Sequence, residues 1–362
     1  MKYFLDANAH VAINEKALKA YVDCNKSLAG HGHAQSPSPL GRSAASAIEE
    51  ARGKIARIIG AKEANQIVFT STCSQACEWS LQLMSELPLD KVYMSTVEHP
   101  AIKFKYRELF KPNSLPISAN GQVSGLFQFP PNSGVVCIHV QNEVGIIQPI
   151  EQLKAQYLLS DMSQGLGKIK INVSSIPNLY FAAFGAHKFG GPGGVGFMYL
   201  KDTTMWKEFG SGSRYYFDRT GTPDTAGIVA TGVALEEAEN SREQRYANML
   251  EFRDTLESGL EEMGWPVICK DANRIPNTTF MKVPRSMALH LLNQLGSEGI
   301  YVGLGSACGA VYSGPSAIMT ALNLRGTMHD YIRISQFGEY SVKDAKYILS
   351  KLKKYCPRID VE

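Results

Sequence analysis

Ala183-Phe184-Gly185-Ala186-His187-Lys188-Phe189-Gly190-Gly191-Pro192 is the stretch on which the reading of the fold turns. An apolar run, residues 180–184, ends in small residues; His187 and Lys188 stand at its tip, and glycines follow. A lysine leaving a buried strand end has a partly desolvated ammonium. Desolvation lowers the amine pKa and makes the group a nucleophile toward carbonyls. Alone, the segment describes equally well a surface loop with a solvated lysine, since most lysines lie at the surface. The neighbouring segments decide between the two.

Upstream, Ile67-Val68-Phe69-Thr70 reads as a buried strand, and Ser71-Thr72-Cys73-Ser74-Gln75 as a small-residue turn into a helix with Trp79, Leu81 and Leu83. Strand, small turn and helix together aim backbone N–H groups and a positive helix end at phosphate. The alternation then repeats. Residues 92–95 run to Glu98-His99-Pro100, 135–140 to Gln141-Asn142-Glu143, and 158–160 to Asp161-Met162-Ser163-Gln164. Residues 195–200 form the strand after Lys188. Strands interleaved with helices predict an α/β fold with a mostly parallel central sheet, whose ligand belongs at the carboxyl ends of the strands. Five ends deliver Ser74, His99, Asn142, Asp161 with Gln164, and Lys188 to that place.

Around this sheet, residues 15–27 and 43–59 have helical periodicity, with Gly60 as a stop. Residues 30–41 read as a loop; its His31 and His33 have no carboxylate or cysteine beside them, so no metal site is expected. Residues 228–263 form a pattern too long for one ordinary helix, read as a bent helix or two helices crossing into a smaller α+β domain. There, strands at 278–283 and 331–335 alternate with helices at 287–298, 316–322 and 342–355, and Ser341 with Asp344 forms a capping-box pattern. The expected division is a large domain at 14–245 and a small domain made of 1–13 and 246–362.

At 362 residues, 44% hydrophobic and 20% charged, the chain has the make-up of a soluble globular protein. A net charge of +3 gives no basis for direct nucleic-acid binding. No apolar run reaches membrane-span length, and the N-terminus lacks a signal-peptide core, so a cytoplasmic location is expected. The seven cysteines are odd in number and scattered, without C-x-x-C, which argues against a disulfide framework or structural zinc.

The chemistry these pieces permit is that of pyridoxal 5'-phosphate held as a Schiff base on Lys188. A protonated pyridine acts as an electron sink and needs a carboxylate, which Asp161 supplies unless it is only a helix N-cap. His99 could stack on a ring, or simply be a loop residue before Pro100. The Cys73-Ser74 turn offers phosphate donors. The glycines at 190–196 match no phosphate-cradling motif and suit close backbone packing.

In this order the motifs resemble the cysteine desulfurases of the IscS/NifS type, class V aminotransferases of PLP fold type I. Matching segments extend from Leu5-Asp6-Ala7-Asn8-Ala9 to Ile332-Arg333-Ile334-Ser335. They include Glu98-His99, Asn142-Glu143-Val144-Gly145, Asp161 with Gln164, His187-Lys188, Thr220-Gly221-Thr222 and Gly305-Ser306-Ala307-Cys308. The resemblance implies that Lys188 carries the cofactor and abstracts the Cα proton of L-cysteine. It implies that Asp161 binds the pyridinium, Gln164 the ring oxygen, and His99 the ring face with a part in proton transfer. Cys73, Ser74, His187 and, in a homodimer, the Thr222 of a second copy would bind phosphate; Asn142 and Arg333 would hold the substrate carboxylate. Cys308 would take the sulfur as a persulfide and pass it to an acceptor protein. Its small, polar surroundings suit an exposed carrier thiol, and the long interval to Arg333 resembles the branch with an extended cysteine loop.

The chain departs from the family at several points. Gly185 replaces a phosphate-binding serine, Thr72-Cys73-Ser74 replaces glycine-alanine-threonine, and His10-Val11 replaces Thr-Thr. The segment between Pro149 and Asp161 is short, and little chain follows Arg333. These departures suit a specialised branch, such as one serving nucleic-acid thiolation or phosphorothioation, with iron–sulfur assembly as the other destination for the sulfur. A selenocysteine lyase or other class V enzyme, and a non-catalytic scaffold keeping the fold, are the competing readings.

Overall fold

The computed structural model describes residues 2–125, 128–205, 222–283, 287–305 and 314–356. Its strands are β1 (Tyr3–Leu5), β2 (Ile67–Thr70), β3 (Lys91–Ser95), β4 (Ser114–Leu115), β5 (Ser133–Val136), β6 (Tyr157–Asp161), β7 (Leu179–Gly185), β8 (Gly196–Leu200), β9 (Thr278–Lys282), β10 (Ile300–Val302) and β11 (Tyr331–Ser335). Its α-helices are α1 (Glu15–Lys26), α2 (Pro39–Ile59), α3 (Cys73–Ser85), α4 (Pro100–Leu109), α5 (Thr225–Asn240), α6 (Arg242–Glu262), α7 (Met287–Ser297), α8 (Ala317–Ala321) and α9 (Val342–Tyr355).

Seven strands form the central sheet in the order β2-β8-β7-β6-β5-β3-β4, and only β8 runs antiparallel. β7 shows why this is an interior sheet. Its apolar run is buried on both faces, as a parallel sheet covered on both sides requires. Phe181 and Ala183 face one core with Trp79 and Leu83 of α3 and Ile102 of α4. Ala182 and Phe184 face the other, with Ile48 and Ile55 of α2 and Leu235 of α5. The strand's period of two thus divides one segment between two helical layers.

A separate core gathers Leu5, Phe252, Leu256, Trp265, Met281, Leu291, Ile300, Ile332 and Leu352. There β9 pairs antiparallel with β11, and β1 pairs parallel with β10, Tyr3 opposite Ile300. The bidentate Arg274–Glu257 pair, with Nη2 and Oε2 2.9 Å apart, is buried beside it.

Several boundaries differ from the sequence reading. α2 begins at Pro39, inside the segment read as a loop. Proline lacks an N–H that the first helical position would leave unused, and the Ser38 hydroxyl accepts from Gly41 N at 3.1 Å. The long helical pattern is two helices, broken at Ser241. The regular ladder of β5 ends at Val136, although Cys137 and His139 still donate to Leu159 and Asp161. The short strands β4 and β10 carry too few residues for a period to declare itself. The Ser341–Asp344 capping box is present, and a single 3₁₀ turn, Ile150–Gln152, spans the shortened segment before β6. Among the described residues, no helix is long and apolar enough to cross a membrane.

Candidate active site

A cavity of about 230 Å³ opens at the carboxyl ends of β6 and β7. Nine of the residues singled out in the sequence line it: Cys73, Ser74, His99, Asn142, Asp161, Gln164, His187, Lys188 and Arg333. Thr222 is exposed and is not part of this lining. Cys308 lies outside the described residues.

Lys188 closes the 3₁₀ turn that follows β7. Its Nζ donates to the carbonyl oxygens of Asn8 at 2.6 Å and Ala9 at 2.8 Å. Neutral acceptors stabilise the ammonium less than a carboxylate would. Burial, and then the Arg333 charge, lower the amine to about 8, against the opposing pull of Cys73, Asp161 and Asp6. At pH 7 roughly a tenth of such an amine is neutral, about 300-fold more than for an ordinary lysine.

Asp161 ends β6. Its Oδ1 accepts from Ser163 N at 3.0 Å and from the Cys73 thiol at 3.8 Å. No α-helix begins here, so the carboxylate is not a helix cap. Gln164 is committed on both sides: its Nε2 donates to Asn8 O at 2.9 Å, and its Oε1 accepts from Lys168 Nζ at 2.8 Å. Lys168 is fully buried, and burial, then the Lys188 charge, push its ammonium well down.

His99 caps α4 through Nδ1, which accepts from Ala101 N at 3.2 Å. In the neutral ring that bond assigns the proton to Nε2. Burial lowers this imidazole, keeping it neutral near pH 7. Beside it, buried Glu98 accepts from Ser95 Oγ at 2.5 Å and Ile138 N at 2.6 Å, and burial raises it to about 7.

Two glycines set the backbone of the phosphate-side wall. A Cβ on Gly196 would lie 2.4 Å from Thr72 C and 2.7 Å from Cys73 N, so only glycine lets the turn before α3 rest on β8. A Cβ on Gly185 would lie 3.0 Å from His187 Cε1 and 3.2 Å from Cys73 Cβ. The room a serine would take is therefore filled by a neighbouring ring and by the Cys73 side chain. His187 stacks on His10, centroids 5.6 Å apart, and burial, then Lys188, lower its imidazole to about 4.

Arg333 lies on β11 and is 1% exposed. Its Nη1 donates to Asn142 O at 3.0 Å and its Nη2 to Asp6 Oδ1 at 2.5 Å, while Nε has no partner among the described residues. Asp6, Asn8, Ala9, Cys77, Ser163 and Lys168 had no role in the sequence reading. The arm Leu5-Asp6-Ala7-Asn8-Ala9 stood out there as a motif only; nothing in its residue types announces that its carbonyls receive a lysine 180 positions away.

The donor set suits pyridoxal 5'-phosphate. One cavity holds an amine with a lowered pKa, a buried carboxylate, a flat neutral imidazole, and a helix N-terminus with a hydroxyl and a second imidazole. The sequence profile of the family described as aminotransferase class V matches residues 3–345. A cysteine desulfurase IscS of Dictyoglomus turgidum is 30% identical, covering 91% of this chain and 88% of its own. A cysteine desulfurase of Sinorhizobium fredii is 31% identical, covering 90% and 88%. A solved structure of a NifS-like protein superposes with a TM-score of 0.87 at 26% identity, over 98% of this chain and 99% of that one. By fold, cavity and sequence the chain belongs to the class V aminotransferases, whose cofactor is pyridoxal 5'-phosphate.

Proposed function

We propose that this chain is a cysteine desulfurase: L-cysteine becomes L-alanine, and the sulfur leaves as a persulfide on Cys308. The observation that carries this reading is the meeting of a lowered amine, a buried carboxylate and a buried guanidinium in one cavity. The names of the relatives support the choice of substrate.

When bound, the cofactor supplies an electron sink that acidifies the substrate Cα–H and weakens its Cβ–S bond. Asp161 keeps the proton on the pyridine nitrogen, and Ser163 N holds the carboxylate in place. Lys188 moves the Cα proton, a task suited to an amine titrating at about 8. His99 would hold the ring face, with the Nε2 proton available for exchange. Gln164 would take the ring oxygen. Cys73, Ser74, the positive end of α3 and His187 take the phosphate. Arg333, whose Nε is unpartnered among the described residues, and Asn142 hold the substrate carboxylate. The Cys308 thiolate then attacks the substrate sulfur: an S–S bond forms, Cβ–S breaks, and the carbon takes up a proton. Cysteine and thiol thus give alanine and persulfide, with no outside oxidant.

The persulfide sulfur passes to an acceptor protein. Thr222, exposed on this chain, serves the phosphate of a second copy, which makes the enzyme a homodimer. Residues 14–245 form the cofactor domain, and 1–13 with 246–362 the small one; the joining of Leu5 to the core of Phe252 and Ile332 supports that division. The cytoplasm is its place of action, consistent with six unpaired cysteines among the described residues.

Gly185→Ser tests the phosphate wall. The added Cβ must displace the His187 ring or the Cys73 side chain, so cofactor affinity is expected to fall about tenfold, an overpacking cost of roughly 1.4 kcal/mol. A fluorescence titration with pyridoxal phosphate reads it. Tighter binding would show that the new hydroxyl reaches the phosphate.

The function itself is tested by incubation with L-cysteine and a thiol reductant, measuring sulfide and alanine. Equal amounts of both are expected, and Cys308→Ala should slow sulfide release about 100-fold. No sulfide from the wild type would overturn the desulfurase reading. Sulfide from Cys308→Ala at the wild-type rate would overturn the thiol assignment.

A further inference from the structure

Cys73 and Cys77 stand one turn apart on α3, so their side chains share a face. Their Sγ atoms are 3.9 Å apart, and Cys73 Sγ is 3.8 Å from Asp161 Oδ1. All three ligand atoms lie within 4.8 Å of one another. A tetrahedral cation with metal–sulfur bonds of about 2.3 Å places two sulfurs about 3.8 Å apart. The observed spacing is already that of a coordinated pair. We propose that Cys73, Cys77 and Asp161 form a binding site for a soft divalent cation of the zinc or cadmium class at the wall of the cavity.

Surrounding atoms brace the site as outer ligand partners do. Ser163 Oγ lies 2.9 Å from Cys73 Sγ, and Ser163 N fixes the Asp161 oxygen. Cys77 is buried, yet it lines the cavity with Cys73, Asp161 and Ser163, so a cation reaches it by the path a ligand would use. Two sulfurs and one carboxylate oxygen favour zinc or cadmium over magnesium or calcium. Binding forms two metal–sulfur bonds and one metal–oxygen bond. Two S–H bonds break, both protons leave to solvent, and nothing is oxidised. One dication replaces two protons, so the total charge in the pocket stays the same and no extra charge is buried. The sequence reading, which weighed C-x-x-C spacing, passed over this pair; the helical spacing C-x-x-x-C is what joins it.

A cation on Asp161 Oδ1 draws the carboxylate's charge away from a pyridinium, so cation and cofactor tend to exclude one another. That second clause rests on the role given to Asp161 above; cation binding does not.

The test titrates cadmium chloride into cofactor-loaded and cofactor-free protein, read by calorimetry and by the ultraviolet thiolate–cadmium absorbance. One tight site per chain is expected in the cofactor-free wild type. Its affinity should fall by about 100-fold or more in both Cys77→Ala and the isosteric Cys77→Ser, and stay unchanged in Cys308→Ser. Saturating cadmium should raise the apparent Kd for pyridoxal phosphate at least about tenfold in wild type but not in Cys77→Ala; magnesium should do neither. No tight site in wild type, unchanged affinity in both Cys77 variants, or loss of the site in Cys308→Ser overturns the proposal. Undiminished cofactor affinity in cadmium-saturated wild type overturns the exclusion. Cadmium binding that persists when the sulfide assay fails supports the site and removes only the desulfurase reading.

Discussion

Lys188→Ala is expected to leave a folded protein without its cofactor absorbance and to slow sulfide formation by at least about 10⁴-fold, since both attachment and proton movement need that amine. Among the described residues the removed ammonium donates to two backbone carbonyls of the N-terminal arm, so the thermal transition should move little. The same amine fixes a pH profile. Its folded value of about 8 lies below the ordinary 10.5 because burial disfavours the cation. The neutral, reactive fraction therefore grows about tenfold per pH unit up to pH 8 and then levels off. Stopped-flow capture of pyridoxal phosphate by cofactor-free protein should follow that curve. A rate still climbing tenfold between pH 9 and 10 would show an ordinary, solvated lysine.

Arg333→Ala should lower kcat/KM for L-cysteine by about 10³-fold, mostly through KM. Two charge-assisted hydrogen bonds to a carboxylate contribute roughly 4 kcal/mol together, and each 1.4 kcal/mol is a factor of ten. Arg333→Lys should recover little, because an ammonium has no planar fork. Asp6→Asn separates substrate binding from architecture. Asp6 holds Nη2 at 2.5 Å and so competes with an incoming carboxylate. Weakening that pair should lower stability by roughly 1–2 kcal/mol while leaving KM equal or smaller. Steady-state kinetics with a thermal melt on each variant checks both statements. A raised KM in Asp6→Asn equal to that of Arg333→Ala would show that the guanidinium acts by bracing the arm, not by binding substrate.

What could be read in the chain, and what could not, follows from sequence distance. His99, Asn142, Asp161 and Lys188 were legible because each ends an apolar strand, and a parallel sheet gathers such ends at one edge. Ser74 was legible from the small-residue turn ahead of α3. The arm was not, because β1 finds its partner at Ile300–Val302 and Lys188 finds Asn8; no local pattern encodes pairings that far apart. Gln164 was placed at the site, but its ties to Asn8 and Lys168 were hidden, since a lysine after Gly167 looks like a surface residue until its burial is seen. Gly185 read as a missing ligand. In the fold a Cβ there would press on the His187 ring and the Cys73 side chain, so two departures from the family, Gly185 and Cys73, fit one another. α2 was shortened in the reading because prolines suggested a loop, whereas Pro39 is a helix start.

The arm also bears on when the enzyme can come alive during synthesis. Residues 3–9 leave the ribosome long before Ile300–Val302 and Arg333, to which they bind. Until those late strands emerge, the arm whose carbonyls receive Lys188 lacks its pairing with β10 and its bond to Arg333, and keeps the Gln164 contact to Asn8 O. The nascent chain can complete its central sheet early, yet the surroundings of its reactive amine are completed only once Arg333 has emerged. A chain stopped before Arg333 would therefore keep its central sheet but lack the guanidinium assigned to the substrate carboxylate, and is expected to turn over L-cysteine poorly.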